Sequence, residues 1–123
     1  MNITKIYEQM YLIRKFEERL LELFNEAKLF GTTHTYIGQE AIAVSVMSQL
    51  TNEDVVFTNH RCHGHYLAYS DDPQGLLAEI MGKAGGICGG RGGSQHLCNG
   101  NFFSHGVQGG YMSIVVGMAL AEK

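Results

Sequence analysis

The sequence predicts a helix-rich α/β fold, and three observations support this class. Apolar residues recur at steps of three and four over residues 4–30, the spacing of a long helix with one buried face. The short β-branched segment 54–58 is typical of a strand. Twelve of the 16 glycines fall at or after Gly82, interleaved with apolar residues, which indicates ordered turns rather than a flexible linker.

Composition limits both the size of the fold and its partners. The 123 residues, 45% hydrophobic and 17% charged, suffice for one domain but not for two. A net charge of -3 argues against a dedicated nucleic-acid binder, and no apolar segment is long enough to span a bilayer. Three cysteines without a secretory signal favour free thiols, so we expect a cytoplasmic protein without a nucleic-acid or membrane partner.

The first half of the chain predicts two helices and a strand. The N-terminal amphipathic helix covers residues 4–30, with Gly31 as its stop. A second helix over 39–50 is apolar on most sides, which predicts that it is buried. Residues 54–58 (DVVFT) form the strand or an extended entry to the next segment.

The second half predicts two more helices around the glycine-rich stretch. Asp72 supplies an N-cap and Pro73 a first helical residue, so a helix begins there and runs to about Lys83. Residues 111–121 suit a buried helix in which Gly117 permits close packing. Neither a glycine cap nor a proline follows this helix, so we expect the chain to be part of a larger unit.

Residues 60–65 (HRCHGH) form the densest group of chemically active side chains. Histidine transfers protons near neutral pH, and the arginine fork matches phosphate oxygens, so an anionic ligand is one interpretation. A polar surface turn is a second. A zinc site is a third, built from Cys62, His63 and His65 with Cys88, Cys98 or His96, but its ligands lack the paired spacing of structural zinc sites.

Two glycine-containing segments offer backbone groups to a ligand. Residues 85–96 could form a nest of N–H donors for a phosphate, although they match neither the P-loop nor the dinucleotide fingerprint. A tight connection between packed elements is the alternative. Residues 104–110 lead into the last helix, where a polar ligand could meet free N–H groups or a simple turn could suffice. His34, between two helices, fits a structural role.

Four motifs occur in an order that resembles a known family. They are residues 34–41 (HTYIGQEA), 60–65 (HRCHGH), 89–96 (GGRGGSQH) and 106–110 (GVQGG). Together they look like the alpha subunit of thiamine-diphosphate-dependent 2-oxo acid dehydrogenases of the pyruvate, acetoin and branched-chain types. The resemblance implies that residues 1–123 are a single incomplete thiamine-diphosphate-binding domain, with an N-terminal helix over 1–31 and the first half of the cofactor domain over 32–123.

The resemblance also implies roles for individual residues. His60 and Arg61 would contact the diphosphate of the cofactor, and His63 would be catalytic near the reacting carbon. Backbone groups of Gly106 and Gln108 would hold the aminopyrimidine ring, although Gln108 stands where an apolar residue is common in the family.

Other parts of such an enzyme are absent from this sequence. The family binds magnesium through a Gly-Asp-Gly motif and a later Asn-Asn pair, and neither occurs here. We therefore expect the metal ligands, and the glutamate that activates the cofactor, to come from the remaining half of the alpha subunit and from a beta subunit. This chain itself would supply no metal ligand.

The reaction implied is decarboxylation of a 2-oxo acid, or cleavage of acetoin. The acyl unit would pass to a lipoyl group on an acyltransferase or to another acceptor. Two other classes remain as alternatives: a non-catalytic assembly or interaction subunit, and a small metal-binding module.

Overall fold

The computed structural model describes residues 2–123 and begins with a long amphipathic helix. Helix α1 covers Ile3–Asn25, and the side chain of Asn2 caps it by accepting the Lys5 N–H at 2.9 Å. Its buried residues follow the helical spacing: Ile13, Glu17, Leu20 and Leu23. The predicted N-terminal helix is thus confirmed, with a glutamate on its buried face.

The end of α1 differs from the prediction. The helix stops at Asn25 rather than at Gly31, because Ala27 takes a left-handed conformation with φ 55°. The N–H of Lys28 then reaches the carbonyl of Leu23, and that of Ala27 reaches Phe24, both at 3.0 Å. A helix end of this kind normally has glycine at the left-handed position. Because Ala27 stands there, the sequence pattern did not predict the end of the helix.

Four shorter helices and a three-stranded sheet follow. The helices are α2 (Glu40–Met47), α3 (His63–Ser70), α4 (Pro73–Ile80) and α5 (Met112–Ala121). The strands are β1 (Val56–Thr58), β2 (Cys98–Asn99) and β3 (Phe102–Ser104), in the order β1-β3-β2. Strand β3 is parallel to β1 and antiparallel to β2. The fold is therefore helix-rich with a small mixed sheet.

The predictions for the middle of the chain are confirmed in part. Strand β1 lies within the predicted segment, and Asp72 caps α4 by accepting the Gly75 N–H at 2.8 Å, with Pro73 as the first helical residue. Helix α3 and strands β2 and β3 have no counterpart among the predictions. Helix α3 starts inside the histidine cluster, where polar residues hide its helical periodicity.

The predicted burial of two helices is wrong. In α2 only one face is buried, around Ala43 and Val44, whereas Ile42 is 57% exposed. In the described part of the chain no residue of α5 is buried, and its Leu120 is 72% exposed. Hydrophobic composition predicted burial, but burial requires a neighbouring element, and residues 2–123 place none over these faces.

The core lies between α1, α2, α3 and the sheet. Tyr36, Tyr66 and Phe102 are its largest apolar members, and the rings of the last two meet edge to face at 5.3 Å. This packing fixes α3 against β3, so the segment between β1 and α3 has a defined position. Among the described residues, no helix is long and apolar enough to cross a membrane.

Candidate functional site

The parallel pairing of β1 and β3 brings two of the predicted segments to one edge of the sheet. Thr58 pairs with Ser104 at the carboxyl ends of these strands, and the N–H of His105 donates to the Thr58 carbonyl at 3.1 Å. His60 and Arg61 follow the first strand, and residues 106–108 follow the second. In parallel sheets, ligands bind beyond the carboxyl ends of the strands, so this edge is the candidate site.

His60 lies against His34 at this edge. Their ring centroids are 4.6 Å apart and the rings meet edge to face. The Nδ1 atom of His60 is buried and has no hydrogen-bond partner among residues 2–123. Burial lowers the pKa of His34, and the charges of His60 and Arg61 lower it further, which favours a neutral His34 ring.

The contact between His34 and His60 was missed by the sequence reasoning, which assigned His34 a structural role. The available signal was its position at the start of residues 34–41, the first of the four ordered motifs. The two histidines are 26 positions apart, so only the folded chain shows that they share a site.

Arg61 is half-buried and anchored on the same loop as His34. Its Nη1 donates to the carbonyl of Thr35 at 2.8 Å, and its backbone N–H donates to Asn59 Oδ1 at 2.9 Å. One side of the guanidinium is thereby oriented by the protein. A planar fork held in this way presents its remaining N–H groups in a fixed direction.

His63, the predicted catalytic residue, is fully buried. Its Nδ1 lies 2.8 Å from Glu17 Oε1, and its Nε2 lies 2.9 Å from Ser94 Oγ and 3.0 Å from the Ser94 carbonyl oxygen. Both ring nitrogens are therefore engaged inside the protein. The ring has no exposed atom to offer a substrate.

Gly106 and Gln108 lie in the turn after β3. The Gly106 N–H donates weakly to His96 Nδ1 at 3.4 Å, and a Cβ at Gly106 would lie 2.6 Å from Gln95 Oε1. A side chain at this position would displace the ends of the Gln95 and His96 side chains. Gln108 is exposed. The presence of glutamine here, where the family commonly has an apolar residue, therefore has no effect on packing within the described chain.

The glycine-rich stretch surrounds an anion that belongs to the protein. The buried carboxylate of Glu79 accepts the backbone N–H groups of Cys88, Gly90, Gly92 and Gly93. Burial acts to raise the pKa of Glu79, but these four bonds outweigh it and the pKa is lowered. Of the two interpretations of this stretch, the structure shows the tight connection, organised around an internal carboxylate.

The cysteines and histidines that could have formed a zinc site do not assemble into one. Cys62 is fully buried and donates to the Ser94 carbonyl at 3.3 Å, and burial raises the pKa of its thiol to about 12. Among residues 2–123, no group of three or more histidine, cysteine or acidic side chains is arranged to hold a metal ion.

Comparison with known proteins agrees with the order of the motifs. The chain is 41% identical over 121 residues to the alpha subunit of acetoin:2,6-dichlorophenolindophenol oxidoreductase from Bacillus subtilis, covering 96% of this chain and 36% of that protein. It is 40% identical over 125 residues to the pyruvate dehydrogenase E1 component subunit alpha of Zymomonas mobilis, covering 98% of this chain and 35% of that protein. The chain thus spans about a third of the length of these relatives.

A more distant relative gives the same result. The mitochondrial pyruvate dehydrogenase E1 component subunit alpha of Kluyveromyces lactis is 35% identical over 123 residues, which is 99% of this chain and 30% of that protein. Residues 8–123 match the sequence model of the family described as "Dehydrogenase E1 component". The chain therefore belongs to the dehydrogenase E1 component family, with alpha subunits of pyruvate and acetoin dehydrogenases among its relatives.

Proposed function

We propose that this chain forms part of the thiamine diphosphate site of an E1 alpha subunit that decarboxylates a 2-oxo acid or cleaves acetoin. One observation carries the proposal. The parallel pairing of β1 and β3 brings the carboxyl ends of these strands to one edge of the sheet. The segments that carry His60 and Arg61, and Gly106 and Gln108, follow those ends, and the motifs imply cofactor contact for these four residues.

The groups present at this edge fit a diphosphate. His60 Nδ1 is buried and has no hydrogen-bond partner in the described chain. The same holds for the hydroxyl of Thr33, which directly precedes His34 in the sequence. Buried polar atoms are rarely left unpaired, and phosphate oxygens could accept from both. The guanidinium of Arg61 adds a charged donor that one contact with Thr35 already orients.

In this proposal the residues of the chain bind and orient. His60 and Arg61 hold the diphosphate, and backbone groups of Gly106 and Gln108 hold the aminopyrimidine ring. His34 borders the site through its contact with His60. When bound, thiamine diphosphate supplies the electron sink that lets a 2-oxo acid lose carbon dioxide.

The catalytic role of His63 stays a prediction that the motifs imply. Its enclosed ring, bonded at both nitrogens, favours a role in holding the site rather than in contacting substrate. A role near the reacting carbon would require the ring to leave Glu17 and Ser94.

The other components of the enzyme are also proposals. We assign the magnesium ligands to a segment or chain other than this one, because the sequence has neither metal-binding motif of the family. We further propose a hetero-oligomer with a beta subunit, transfer of the acyl unit to a lipoyl-bearing acyltransferase or another acceptor, and a cytoplasmic location.

Calorimetric titration of thiamine diphosphate, with magnesium, into the assembled alpha and beta subunits tests this function. An Arg61→Ala variant should bind at least about tenfold more weakly, because a hydrogen bond to a charged group contributes about 1.5–3 kcal/mol. Arg19→Ala is the control, since Arg19 is an exposed residue of α1 paired with Glu22, and it should bind as the wild type does.

Two results would contradict the proposal. Equal affinity of the Arg61→Ala and wild-type assemblies would remove Arg61 from the site. Absence of binding by the wild-type assembly would reject the cofactor site and favour the non-catalytic assembly subunit.

A further inference from the structure

A buried polar bridge connects three distant parts of the chain. We use this term for Glu17 on α1, His63 at the start of α3 and Ser94 in the glycine-rich stretch. Glu17 and His63 are fully buried, and Ser94 is 9% exposed. Burying polar groups is costly unless they are paired, and burying ionisable ones more so, so this cluster of two ionisable side chains and a serine requires a reason beyond packing.

The distances define which groups of the bridge face one another. His63 Nε2 lies 3.0 Å from the Ser94 carbonyl oxygen, which can only accept, and 2.9 Å from the Ser94 hydroxyl, which can donate or accept. On the other side of the ring, Nδ1 lies 2.8 Å from Glu17 Oε1. Each ring nitrogen therefore has a polar partner, which offsets part of the cost of burying Glu17 and His63.

The bridge fixes the segment that carries the candidate site. His63 follows Arg61 by two positions and His60 by three, and Cys62 between them donates to the same Ser94 carbonyl. The segment is thus held to the glycine-rich stretch by Cys62 and His63, and to α1 by Glu17. If His63 could rotate or shift, His60 and Arg61 would move with it, because they precede it by only three and two residues.

The second carboxyl oxygen of Glu17 indicates that this residue serves to orient its neighbour. Oε2 is buried and has no hydrogen-bond partner among residues 2–123. An apolar residue on this face of α1 would avoid that cost, as Ile13 and Leu20 do on the neighbouring turns. The glutamate provides what an apolar side chain cannot, a contact that specifies the orientation of the His63 ring.

We propose that Glu17 is a positioning residue for cofactor binding, acting through His63 to hold His60 and Arg61 in the orientation that receives the diphosphate. This inference rests on the function proposed above. Glu17 is fully buried, and its carboxyl group is hydrogen-bonded to His63, so its effect is transmitted by the start of α3.

The test uses the assembled enzyme and a Glu17→Gln variant, which keeps the shape of the side chain and replaces its carboxyl group by an amide. We expect thiamine diphosphate to bind about tenfold more weakly by calorimetry, since small displacements of a binding group have large effects. The KM for the cofactor should rise in parallel, while kcat at saturating cofactor stays near the wild-type value. Glu18→Gln is the matched control, because Glu18 is exposed and paired with Lys15, and it should change neither quantity.

A double variant guards against loss of folding. Glu17→Met with His63→Leu replaces the pair by apolar residues, an exchange that buried ion pairs often tolerate without loss of stability. It should show a thermal unfolding midpoint near the wild-type value together with the same weakening of cofactor binding.

The possible outcomes separate this inference from the proposed function. If the wild-type and Glu18→Gln assemblies do not bind the cofactor, the proposed function fails. If they bind it and both Glu17 variants bind equally well, Glu17 is not a positioning residue. Loss of folded protein in both variants would show a purely structural role and would overturn the inference. A lower kcat with an unchanged cofactor KM would show that Glu17 affects turnover and not cofactor binding, which would also overturn it.

Discussion

The carboxylate of Glu79 accepts the backbone N–H of Gly92 at 2.6 Å, although the two residues belong to different elements. The same carboxylate takes three more backbone N–H groups from the glycine-rich stretch, at 2.7–3.2 Å. This segment is therefore ordered by a residue of α4. Its end, at Ser94, in turn contacts the start of α3, so the order extends to the candidate site.

Replacing Glu79 should destabilise the whole chain. A Glu79→Ala substitution leaves four backbone donors without their acceptor, so we expect a loss of about 3 kcal/mol or more in the free energy of unfolding, measured in urea. Glu53→Ala is the control, because Glu53 is exposed, and it should cost less than about 0.5 kcal/mol. Equal losses would contradict the role assigned to Glu79.

The close approach at Gly92 predicts which glycines of this stretch can be changed. A Cβ at Gly92 would collide with the carbonyl oxygen of His96, whereas a Cβ at Gly85 would meet nothing within 4 Å. We expect Gly92→Ala to lower the free energy of unfolding by about 1–3 kcal/mol. Gly85→Ala should leave it unchanged or raise it by up to about 1 kcal/mol, and a comparable loss in both variants would refute the argument.

Stability should fall in mild acid because of His65. Burial lowers the pKa of His65, whose ring contacts the hydroxyls of Tyr36 and Thr58. Below about pH 6.5, His65 therefore binds a proton in the unfolded chain more readily than in the folded chain. The contribution of His65 to the free energy of unfolding is complete above that pH and is lost as the pH falls. For one proton, the slope is at most about 1.4 kcal/mol per pH unit.

Urea unfolding at about pH 7.5 and about pH 5.5 measures this effect. The loss of stability between the two conditions should be smaller for His65→Gln than for the wild type. An identical loss in the two proteins would show that other groups are responsible.

The exposed face of α5 predicts a contrast between two leucines. Leu120 is 72% exposed and Leu76 is fully buried. Leu76→Ala should cost about 2–5 kcal/mol of unfolding free energy, whereas Leu120→Ala in the 123-residue chain should change it by less than about 0.5 kcal/mol. A large cost at Leu120 would mean that α5 packs more closely than the structure shows.

The helix limits show where reasoning from the sequence succeeds and where it fails. The start of α4 was predicted because Asp72 and Pro73 act through their own backbone and a donor three residues away. The end of α1 was misplaced because Ala27 adopts a conformation that its side chain does not favour. Helix α3 was missed because its buried residues, such as Tyr66, are interspersed with the histidines.

The candidate site also combines residues that the sequence predicts with contacts that only the structure shows. The motifs identified His60, Arg61, Gly106 and Gln108, and the register of β1 with β3 brings their segments to one edge. No local pattern predicts the contact of His34 with His60, or that of Glu17 with His63 at a separation of 46 positions.

The class of fold, the long N-terminal helix, the cap of α4 and the family could be predicted from the amino-acid sequence, because they depend on local backbone preferences and on the order of the motifs. The folded chain was needed to show which faces are buried, which anion the glycine-rich stretch surrounds and which histidine is enclosed. Those properties arise from contacts between residues far apart in the chain. Their free energy depends on which groups are excluded from water together, and no local pattern encodes that.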